Sequence, residues 1–266
     1  MSEVSIQVTR DQLKGGTCGD AGIAWVTVDN QRRFNCLTSA IVAGIEQTFL
    51  NLAEDAALRA VVLTGAGDRA FVGGADLNEL RECSADSARV YITRLHQACK
   101  AIRDCPVPVI GRINGFCLGA GVEVAASCDM RVAADSAVFG MPEVRMGIPS
   151  VIEAALLPGL IGWGKTREIL LTGETFSAAQ AVAMGLVQKI VPMSGLDAAV
   201  QHWLDSIYRT TSLASRNQKA LMNRWQRVSV DEGIYAGIDA LAQAYTTGEP
   251  QAAINRFFAD KIRSKD

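Results

Sequence analysis

Short runs of β-branched residues alternate with helix-like segments through about the first 140 residues, and no other feature limits the fold as strongly. Glycine, proline and aspartate interrupt these runs, as expected for strands that end in turns. The strand-like runs are VSIQVT, GIAWVTVD, ALRAVVLTG, PVPVIGRI and DMRVAAD. Between them, residues 38–53 and 86–103 have the composition and apolar spacing of helices. The alternation predicts an α/β fold.

Helix-forming residues dominate the chain from about residue 150 onward. The predicted helical stretches are 151–172, 177–184, 195–226 and 230–263, and GLVQKIV is the main strand-like run among them. Aromatic residues give this part more apolar surface than one core needs: Trp203, Tyr208, Trp225 and Tyr235. No linker is visible. We therefore expect an α/β core over residues 1–195 and a C-terminal helical region over residues 196–266 that packs on it.

The composition limits the class of partner. With 49% hydrophobic residues over 266 positions, the chain can bury a full core. The formal net charge is −2 and the basic residues are scattered, so we expect no nucleic acid partner. No apolar run reaches the roughly 18 residues that span a bilayer, so we expect no membrane association. A small molecule is the expected ligand.

Cysteines and histidines bear on the compartment and on metal binding. The seven cysteines are an odd set without C-x-x-C pairs, and no signal-peptide segment follows Met1. We therefore expect a reducing, cytoplasmic location. Neither His96 nor His202 lies in a cluster typical of metal ligands, so no metal site is expected.

A first glycine-rich segment follows the strand-like run VVLTG. The sequence GAGDRA at residues 65–70 superficially fits a dinucleotide-binding motif, but such a turn must open a helix at once, and FVGG follows instead. We interpret 65–69 as a surface turn and AFVGGAD as a loop in which Gly73 and Gly74 bring the backbone close to a ligand. Ala75 and Asp76 would then start a helix. An ordinary strand-to-helix loop is the alternative.

A second segment, INGFCLGAGVEV, repeats this arrangement, with a strand at 108–113 and a helix that starts near Gly119. Two helix N-termini, near Ala75 and Ala120, would aim free backbone N–H groups at one point. Such a pair has the form of an oxyanion hole, which stabilises negative charge on a carbonyl oxygen.

Two glutamates stand out in apolar or glycine-rich surroundings. Glu123 lies one helical turn into GAGVEVAAS, where burial of an unpaired carboxylate is costly unless function requires it. The alternative is a side chain that reaches solvent or pairs with an arginine. Glu143 follows Pro142 in FGMPEVRMGIP, a pattern that is also typical of an ordinary helix start.

Taken together, these segments resemble the enoyl-CoA hydratase/isomerase, or crotonase, family over nearly the whole chain. AFVGGADLNEL resembles its first oxyanion-hole segment, and INGFCLGAGVEVAASCDMRVAADSAVFGMPEVRMGIP resembles its second segment with both acid/base positions. LPGLIGWGKTREILLTGETFSAAQAVAMGLVQKIV resembles its helical run. The resemblance implies a crotonase-like (ClpP/crotonase) spiral core of ββα units, a C-terminal helical trimerisation region, and a homotrimer or a homohexamer built as a dimer of trimers.

The resemblance also implies a reaction. It assigns the oxyanion-hole donors to the N–H groups of Ala75 and Ala120, water activation to Glu123 and protonation of the α-carbon to Glu143. We therefore expect a hydro-lyase that hydrates a 2-enoyl-CoA. Coenzyme A would be part of the substrate, and no separate cofactor is implied. The alternatives are another reaction of this family (isomerisation, thioester hydrolysis or C–C cleavage) and a non-catalytic or RNA-binding role.

Contacts to the substrate follow from the same resemblance. The pantetheine would pass Arg33 and Cys36, and the acyl group would contact Phe116, Leu118 and Pro142. The adenine would lie near four consecutive residues: Gly74, Ala75, Asp76 and Leu77. From the C-terminal helix, Phe258 and Lys261 would reach a nucleotide bound by a neighbouring subunit. The alternatives are that Phe258 belongs to the core and that Lys261 is a solvated charge.

Two segments depart from the family pattern. Asn78 stands where many hydratases carry a lysine, which puts one phosphate contact in doubt. The sequence SVIEA at 150–154 replaces a glycine-rich turn. We expect the bulkier residues to reshape the acyl pocket or the water site, and Glu153 to be a candidate third carboxylate.

Overall fold

Two β-sheets form the centre of the protein, whose computed structural model describes residues 5–12 and 22–263. The larger sheet has six strands. In sheet order these are β1 (Ser5–Gln12), β2 (Gly22–Asp29), β3 (Leu58–Gly65), β5 (Val109–Ile113), β7 (Met130–Ala134) and β10 (Lys189–Val191). β1 is antiparallel to β2, and all other neighbours are parallel.

The smaller sheet has four strands of three residues each. In sheet order they are β4 (Ala70–Val72), β6 (Phe116–Leu118), β8 (Val138–Gly140) and β9 (Thr175–Ser177). β4, β6 and β8 are parallel, and β9 is antiparallel to β8. Thus the chain runs from a strand of the large sheet to one of the small sheet, from β3 to β4, from β5 to β6 and from β7 to β8.

Ten α-helices complete the described part of the chain. They are α1 (Ser39–Ala53), α2 (Leu77–Arg81), α3 (Ala85–Asp104), α4 (Ala120–Ser127), α5 (Leu157–Thr172), α6 (Ala178–Ala183), α7 (Leu196–Tyr208), α8 (Ser212–Trp225), α9 (Val230–Tyr245) and α10 (Glu249–Arg263). α2 and α3 follow β4, and α4 follows β6, which makes the repeated ββα spiral. The crotonase-like core expected from the sequence is therefore confirmed.

The large sheet buries apolar residues on both faces. Phe49 of α1 and Leu95 of α3 belong to the main core on one side. On the other side, Leu204 of α7 packs with Val62 and Ile110 of the sheet. Each such side chain stabilises the fold by about 1.5–3 kcal/mol through burial. Strands covered on both faces explain the almost continuous apolar runs in the sequence.

The five β-branched runs of the first half form strands as predicted, although Val4 of the first run and both outer ends of the predicted domains lie outside the described residues. The four short strands of the small sheet were not predicted as strands, because three residues are too few to show alternation. Residues 151–172 were expected as one helix. They form a 3-10 helix (Ile152–Leu156) and then α5, which is broken at Gly162 with φ 74°.

The four C-terminal helices differ in what they pack against. α7 covers the large sheet. The buried Lys219 of α8 bonds to Val107 and Asp129, which precede β5 and β7. α9 then packs on α8, and α10 packs on α9. α9 and α10 expose large apolar side chains: Val230, Ile234, Tyr235, Ile238, Leu241, Phe257 and Phe258. Within residues 5–12 and 22–263, no helix combines the length and hydrophobicity needed to cross a membrane. The predicted division at residues 195/196 stays a prediction.

Candidate active site

The ends of β4 and β6 lie side by side and place two loops together. Val72 pairs with Cys117 in parallel register, so both strands point their carboxyl ends the same way. Gly74 has φ 118°, and a Cβ atom there would lie 3.3 Å from the carbonyl oxygen of Leu118. Glycine therefore permits both the left-handed backbone and the close approach of the two loops.

These loops carry the two backbone N–H groups that the sequence singled out. Ala120 is the first residue of α4, and Gly119, with φ 52°, precedes it. Ala75 forms a parallel bridge with Leu37 two residues before α2, so the expectation that α2 starts at Ala75 was wrong by two residues. Neither the Ala75 nor the Ala120 N–H donates a hydrogen bond to any residue that the structure describes. Both donors are available to a ligand.

A cavity of about 830 Å³ opens in front of the two N–H groups. Gly74, Ala75 and Ala120 line it together with Glu123 and Glu143. Its remaining wall is mostly apolar and includes Leu77, Leu80, Ile92, Leu118, Pro142 and Ile148. The predicted oxyanion loops, both glutamates, Leu118 and Pro142 therefore come together on one pocket.

Glu123 is buried in the first turn of α4, with 4% of its surface exposed. Its Oε1 atom accepts a hydrogen bond of 3.2 Å from the backbone N–H of Ala154. Burial raises the pKa of Glu123 to about 8, the Ala154 hydrogen bond opposes this rise, and the charges of Glu143 and Glu153 add to it. Glu123 thus neither reaches solvent nor pairs with an arginine of the described residues.

Glu143 follows β8 on a 3-10 helix (Pro142–Met146) and is half-buried. Its Oε2 atom accepts a hydrogen bond of 3.0 Å from the hydroxyl of Ser150. Its Oε1 atom would lie 2.5 Å from a Cβ atom placed on Gly119. The carboxyl therefore sits directly against the loop that holds the Ala120 N–H.

Asp76 caps the N-terminus of α2 and is bound to Arg33. Its Oδ1 accepts from the N–H groups of Asn78 and Glu79, and its Oδ2 accepts from Arg33 at 2.7 Å. Burial raises the pKa of this carboxyl, but the hydrogen bonds from Arg33 and the two N–H groups outweigh it and hold the pKa below its usual value. The Asp76 side chain is therefore committed to the protein, and only its backbone is open to a ligand.

A second cavity of about 650 Å³ lies beside this ion pair and is lined by Arg33, Asp76 and Asn78 among others. Cys36 is half-buried nearby, where burial, followed by the charge of Asp76, raises the pKa of its thiol. Arg33 keeps 56% of its side chain exposed although it pairs with Asp76. Of the residues expected along the pantetheine and adenine, Gly74, Ala75 and Leu77 line the main cavity, whereas Arg33 and Asp76 line the second one.

Six predicted substrate contacts do not line the main cavity of this chain: Arg33, Cys36, Asp76, Phe116, Phe258 and Lys261. Phe116 packs edge-on against Phe34, with ring centroids 5.8 Å apart, and is absent from the cavity wall. Phe258 and Lys261 lie on α10 and do not line the cavity either. Phe258 is 56% exposed, so it is not a core residue of this chain.

Sequence reasoning did not identify the partners of the two glutamates. Ser150 and Ala154 supply the hydrogen bonds to Glu143 and Glu123, and the only signal for them was the departure SVIEA from the glycine-rich turn. Glu153, the candidate third carboxylate, is 3% exposed and does not line the cavity. Its side chain is directed to His96 and Arg103 of α3 instead.

The assembled groups can stabilise an oxyanion and move protons. Two free N–H groups face the cavity, and one of the two carboxyls has a pKa close to neutral. A carboxyl with such a pKa exchanges protons effectively near pH 7. Among the described residues, no three histidine, cysteine, aspartate or glutamate side chains group as they would around a metal ion.

Comparisons with known proteins agree with this chemistry. The sequence profile of the family described as enoyl-CoA hydratase/isomerase matches residues 19–262. The short-chain-enoyl-CoA hydratase of Clostridium acetobutylicum is 30% identical over 236 residues, which are 88% of this chain and 90% of that protein. The crotonyl-CoA hydratase of Syntrophomonas wolfei is 31% identical over 236 residues, which are 88% of this chain and 91% of that protein.

Solved structures give the same result for the fold. The enoyl-CoA hydratase of Mycobacterium smegmatis superimposes with a TM-score of 0.88 at 28% identity, covering 95% of this chain and 96% of that chain. The profile match and the two hydratase sequences each extend over most of the chain, from the first sheet to the C-terminal helices. This protein therefore belongs to the enoyl-CoA hydratase/isomerase family and has the crotonase fold.

Proposed function

We propose that the protein is an enoyl-CoA hydratase that adds water reversibly across the double bond of a 2-enoyl-CoA thioester. One observation carries the proposal: Glu123 and Glu143 line the same cavity as the free N–H groups of Ala75 and Ala120. Hydration needs a group that activates water, a group that protonates the α-carbon, and donors for the enolate oxygen. The two hydratase relatives support the same reaction.

The thioester carbonyl oxygen accepts hydrogen bonds from Ala75 and Ala120. As water adds to the β-carbon, the electrons of the double bond move toward this oxygen and form an enolate. Donors that already point into the site need no rearrangement at that moment, and one such donor is worth on the order of 10²–10³ in kcat. The absence of side chains at Gly74 and Gly119 lets the carbonyl approach the N–H groups.

The two carboxyls divide the proton transfers. Ionised Glu123 takes a proton from water while the water oxygen bonds to the β-carbon. Protonated Glu143 then gives its proton to the α-carbon as the enolate collapses to the thioester. The product is a 3-hydroxyacyl-CoA, one water is consumed, and a proton returns from Glu123 to Glu143 before the next turnover.

The pKa of Glu123 suits a base for this step. With a pKa of about 8, its carboxylate holds a proton more strongly than an ordinary glutamate and is a better acceptor from water. In the unliganded protein at neutral pH, the same pKa leaves much of Glu123 protonated. Hydration is therefore expected to rise with pH up to about pH 8 as the base ionises.

Coenzyme A binds as part of the substrate, and the mechanism uses no separate cofactor. Its pantetheine lies beside Arg33 and Cys36, and its adenine lies near residues 74–77. The second cavity, which is next to the Arg33–Asp76 pair, supports this placement. Because Phe116 does not line the main cavity, any contact of its side chain with the substrate would lie outside that cavity.

The protein works as a homotrimer or as a hexamer of two trimers in the cytoplasm. The exposed apolar side chains of α9 and α10 support assembly, because a face of this kind is rarely left uncovered. In the assembly, Phe258 and Lys261 reach a nucleotide bound by a neighbouring subunit. A monomer at micromolar concentration in sedimentation velocity would contradict this arrangement.

The proposal is tested with Glu123→Gln and Glu143→Gln. Each variant should fold, bind acyl-CoA and lose hydration by roughly 10²–10⁴, as measured by absorbance loss of the conjugated thioester over a series of acyl lengths. Solvent exchange of the α-hydrogen should depend chiefly on Glu143, and incorporation of labelled oxygen should depend on Glu123. Glu168→Gln, on the exposed surface of α5, is the matched control.

The outcome that rejects the hydratase is a Glu123→Gln variant that hydrates every accepted enoyl thioester at the wild-type rate. Because the two carboxyls act on one water and one enolate, the double variant should be far less impaired than the product of the single losses. A multiplicative loss would show that they act independently.

A further inference from the structure

Glu153 is a buried carboxylate that the proposed reaction does not use. Its Oε1 atom accepts a hydrogen bond of 2.7 Å from Arg103 and lies 2.9 Å from Nδ1 of His96, both on α3. Its Oε2 atom and Nε of Arg103 are buried without a hydrogen-bond partner in the described residues. A half-satisfied buried ion pair is a poor way to stabilise a fold, so its presence points to another role.

The backbone next to Glu153 is held in an unfavourable conformation. Ile152 has φ 37°, which is in the left-handed region that β-branched residues rarely adopt. Such a conformation persists only where the surroundings fix it, and such sites cluster around active sites. Here the neighbouring contacts are those of Glu153, the next residue, with Arg103 and His96 of α3, and the hydrogen bond from the Ala154 N–H to the carbonyl oxygen of Val151.

The residue that follows Glu153 contacts Glu123 directly. Ala154 donates its backbone N–H both to the carbonyl oxygen of Val151 at 2.9 Å and to Oε1 of Glu123 at 3.2 Å. Within the described residues this is the one hydrogen bond that the Glu123 carboxyl receives. A continuous path therefore runs from Arg103 and His96 through Glu153 and the Ala154 N–H to the carboxyl that faces the substrate.

We propose that Glu153 is a positioning residue for the reaction, which holds the Ala154 N–H against Glu123 through its contacts with Arg103 and His96. The inference rests on the proposed function, in which Glu123 activates water. Glu153 acts through Glu123 and never touches the substrate, because it does not line the cavity. In the segment SVIEA, the anchored side chain of Glu153 thereby fixes the position of the Ala154 N–H relative to Glu123.

The charge of Glu153 also acts on Glu123. The titratable groups that bear on Glu123 are Glu143 beyond β8, Glu153 before α5, and Cys99 of α3, whose own thiol is kept neutral by burial. Both carboxylates raise the pKa of Glu123, in addition to the larger effect of burial. Removal of the Glu153 charge alone should therefore lower the pKa of Glu123, whereas loss of the Ala154 hydrogen bond, which has the larger effect, should raise it.

The first test compares Glu153→Gln and Glu153→Ala with the wild-type protein. We expect Glu153→Ala to lower kcat by up to about 10²-fold with little change in KM, since the carboxyl of Glu123 is misplaced while the substrate contacts remain. Glu153→Gln keeps the side-chain size and should move the ionisation seen in the kcat/KM profile to lower pH. A role limited to stability would change the melting temperature and leave this profile unmoved.

A second variant covers the case in which Glu153 substitutions fail to fold. His96 has 43% of its side chain exposed, so His96→Ala should fold while it removes one of the two contacts of Glu153. We expect a several-fold loss of kcat. The matched control is Lys100→Ala on the same helix, since Lys100 is exposed and pairs with Asp104 rather than with Glu153.

A direct titration separates this inference from the proposed function. The carboxyl carbon of Glu123 is followed by ¹³C NMR with labelled glutamate, and its signal is assigned by its loss in Glu123→Gln. Glu153→Gln removes only the charge, whereas Glu153→Ala also releases the Ala154 N–H, so a higher Glu123 pKa in Glu153→Ala than in Glu153→Gln supports the inference even if no enoyl thioester is hydrated. Equal Glu123 pKa values in Glu153→Ala and Glu153→Gln, or equal kcat values for His96→Ala and Lys100→Ala, overturn it.

Discussion

The hydroxyl of Ser150 donates a hydrogen bond of 3.0 Å to Oε2 of Glu143, so a residue seven positions further along the chain orients this carboxyl. Glu143 lies on a short 3-10 helix and is half-buried, and its side chain would otherwise have rotational freedom. The bond joins the segment that carries the proposed proton donor to the turn that precedes Glu153. In the proposed mechanism, the direction from which Glu143 delivers its proton to the α-carbon therefore depends on a hydroxyl that lies outside the pair of glutamates.

Ser150→Ala should lower kcat by about 10-fold, because a hydrogen bond to an ionisable group is worth about 1.5 kcal/mol or more. KM should change little, since neither Ser150 nor the affected oxygen binds coenzyme A. Steady-state hydration kinetics measure both quantities. Ser150→Thr keeps the hydroxyl and is the control. An alanine variant with the wild-type kcat would show that this bond does not orient Glu143.

Much of the site could be predicted because its signals are local. Gly74 and Gly119 stand next to the donors that they make accessible, and Glu123 is conspicuous as a charge in an apolar helix. The long strands could be predicted for the same reason, since burial on both faces leaves continuous β-branched runs. These features require no knowledge of which segments meet in space.

The contacts that tune the site could not be predicted in this way. The bond from Ala154 to Glu123 joins residues 31 positions apart. It depends on the left-handed backbone conformation at Ile152, which the amino-acid composition does not predict. The pairing of Asp76 with Arg33 spans 43 positions. Such contacts join loops and short helices that are far apart in the chain, and the three-residue strands between them are too short to show a period.

The buried contacts of Lys219 should stabilise the packing of α8 against the rest of the protein. It is 3% exposed on α8, and its ammonium donates to Asp129 Oδ2 at 2.7 Å and to the carbonyl oxygen of Val107 at 3.0 Å. Lys219→Met leaves a partly buried carboxylate without its cation, so the free energy of unfolding should fall by about 3 kcal/mol. Urea denaturation at a fixed protein concentration measures the change.

The control for Lys219 is Lys165→Met, because Lys165 pairs with Glu168 on the surface of α5 with both side chains more than half exposed. An exposed pair contributes about 0–1 kcal/mol. Equal losses in the two variants would mean that burial of Lys219 adds nothing to its ion pair.

Stability should depend on pH through Glu123. Burial is the main reason why its pKa is about 8 rather than the ordinary 4.5. Between these values the folded state binds more protons than the unfolded state, so this contribution is complete below pH 4.5 and is lost as pH rises through about 8. The free energy of unfolding should fall by up to about 1.4 kcal/mol per pH unit in this window.

The Glu123→Gln variant lacks this titration and should gain stability relative to the wild-type protein as pH rises. Urea denaturation of both proteins at about pH 6 and about pH 9 checks the prediction, because the contributions of other groups largely cancel in the difference. Glu168→Gln, which alters an exposed surface pair, should show no such trend. A constant difference between wild type and Glu123→Gln would mean that the pKa of Glu123 is ordinary.

Gly119→Ala should separate catalysis from folding. Gly119 has φ 52° and ψ −119°, a conformation that side chains disfavour, and a Cβ atom there would lie 2.5 Å from Oε1 of Glu143. The carboxyl is the far end of a flexible side chain, so it moves aside and the fold survives. We expect a loss on the order of 10² in kcat and retained acyl-CoA binding.

Gly164→Ala, where nothing lies within 4 Å of the added Cβ, is the control and should hydrate at the wild-type rate. If Gly119→Ala hydrates at the same rate as Gly164→Ala, Glu143 does not deliver its proton from the position that it has in this structure.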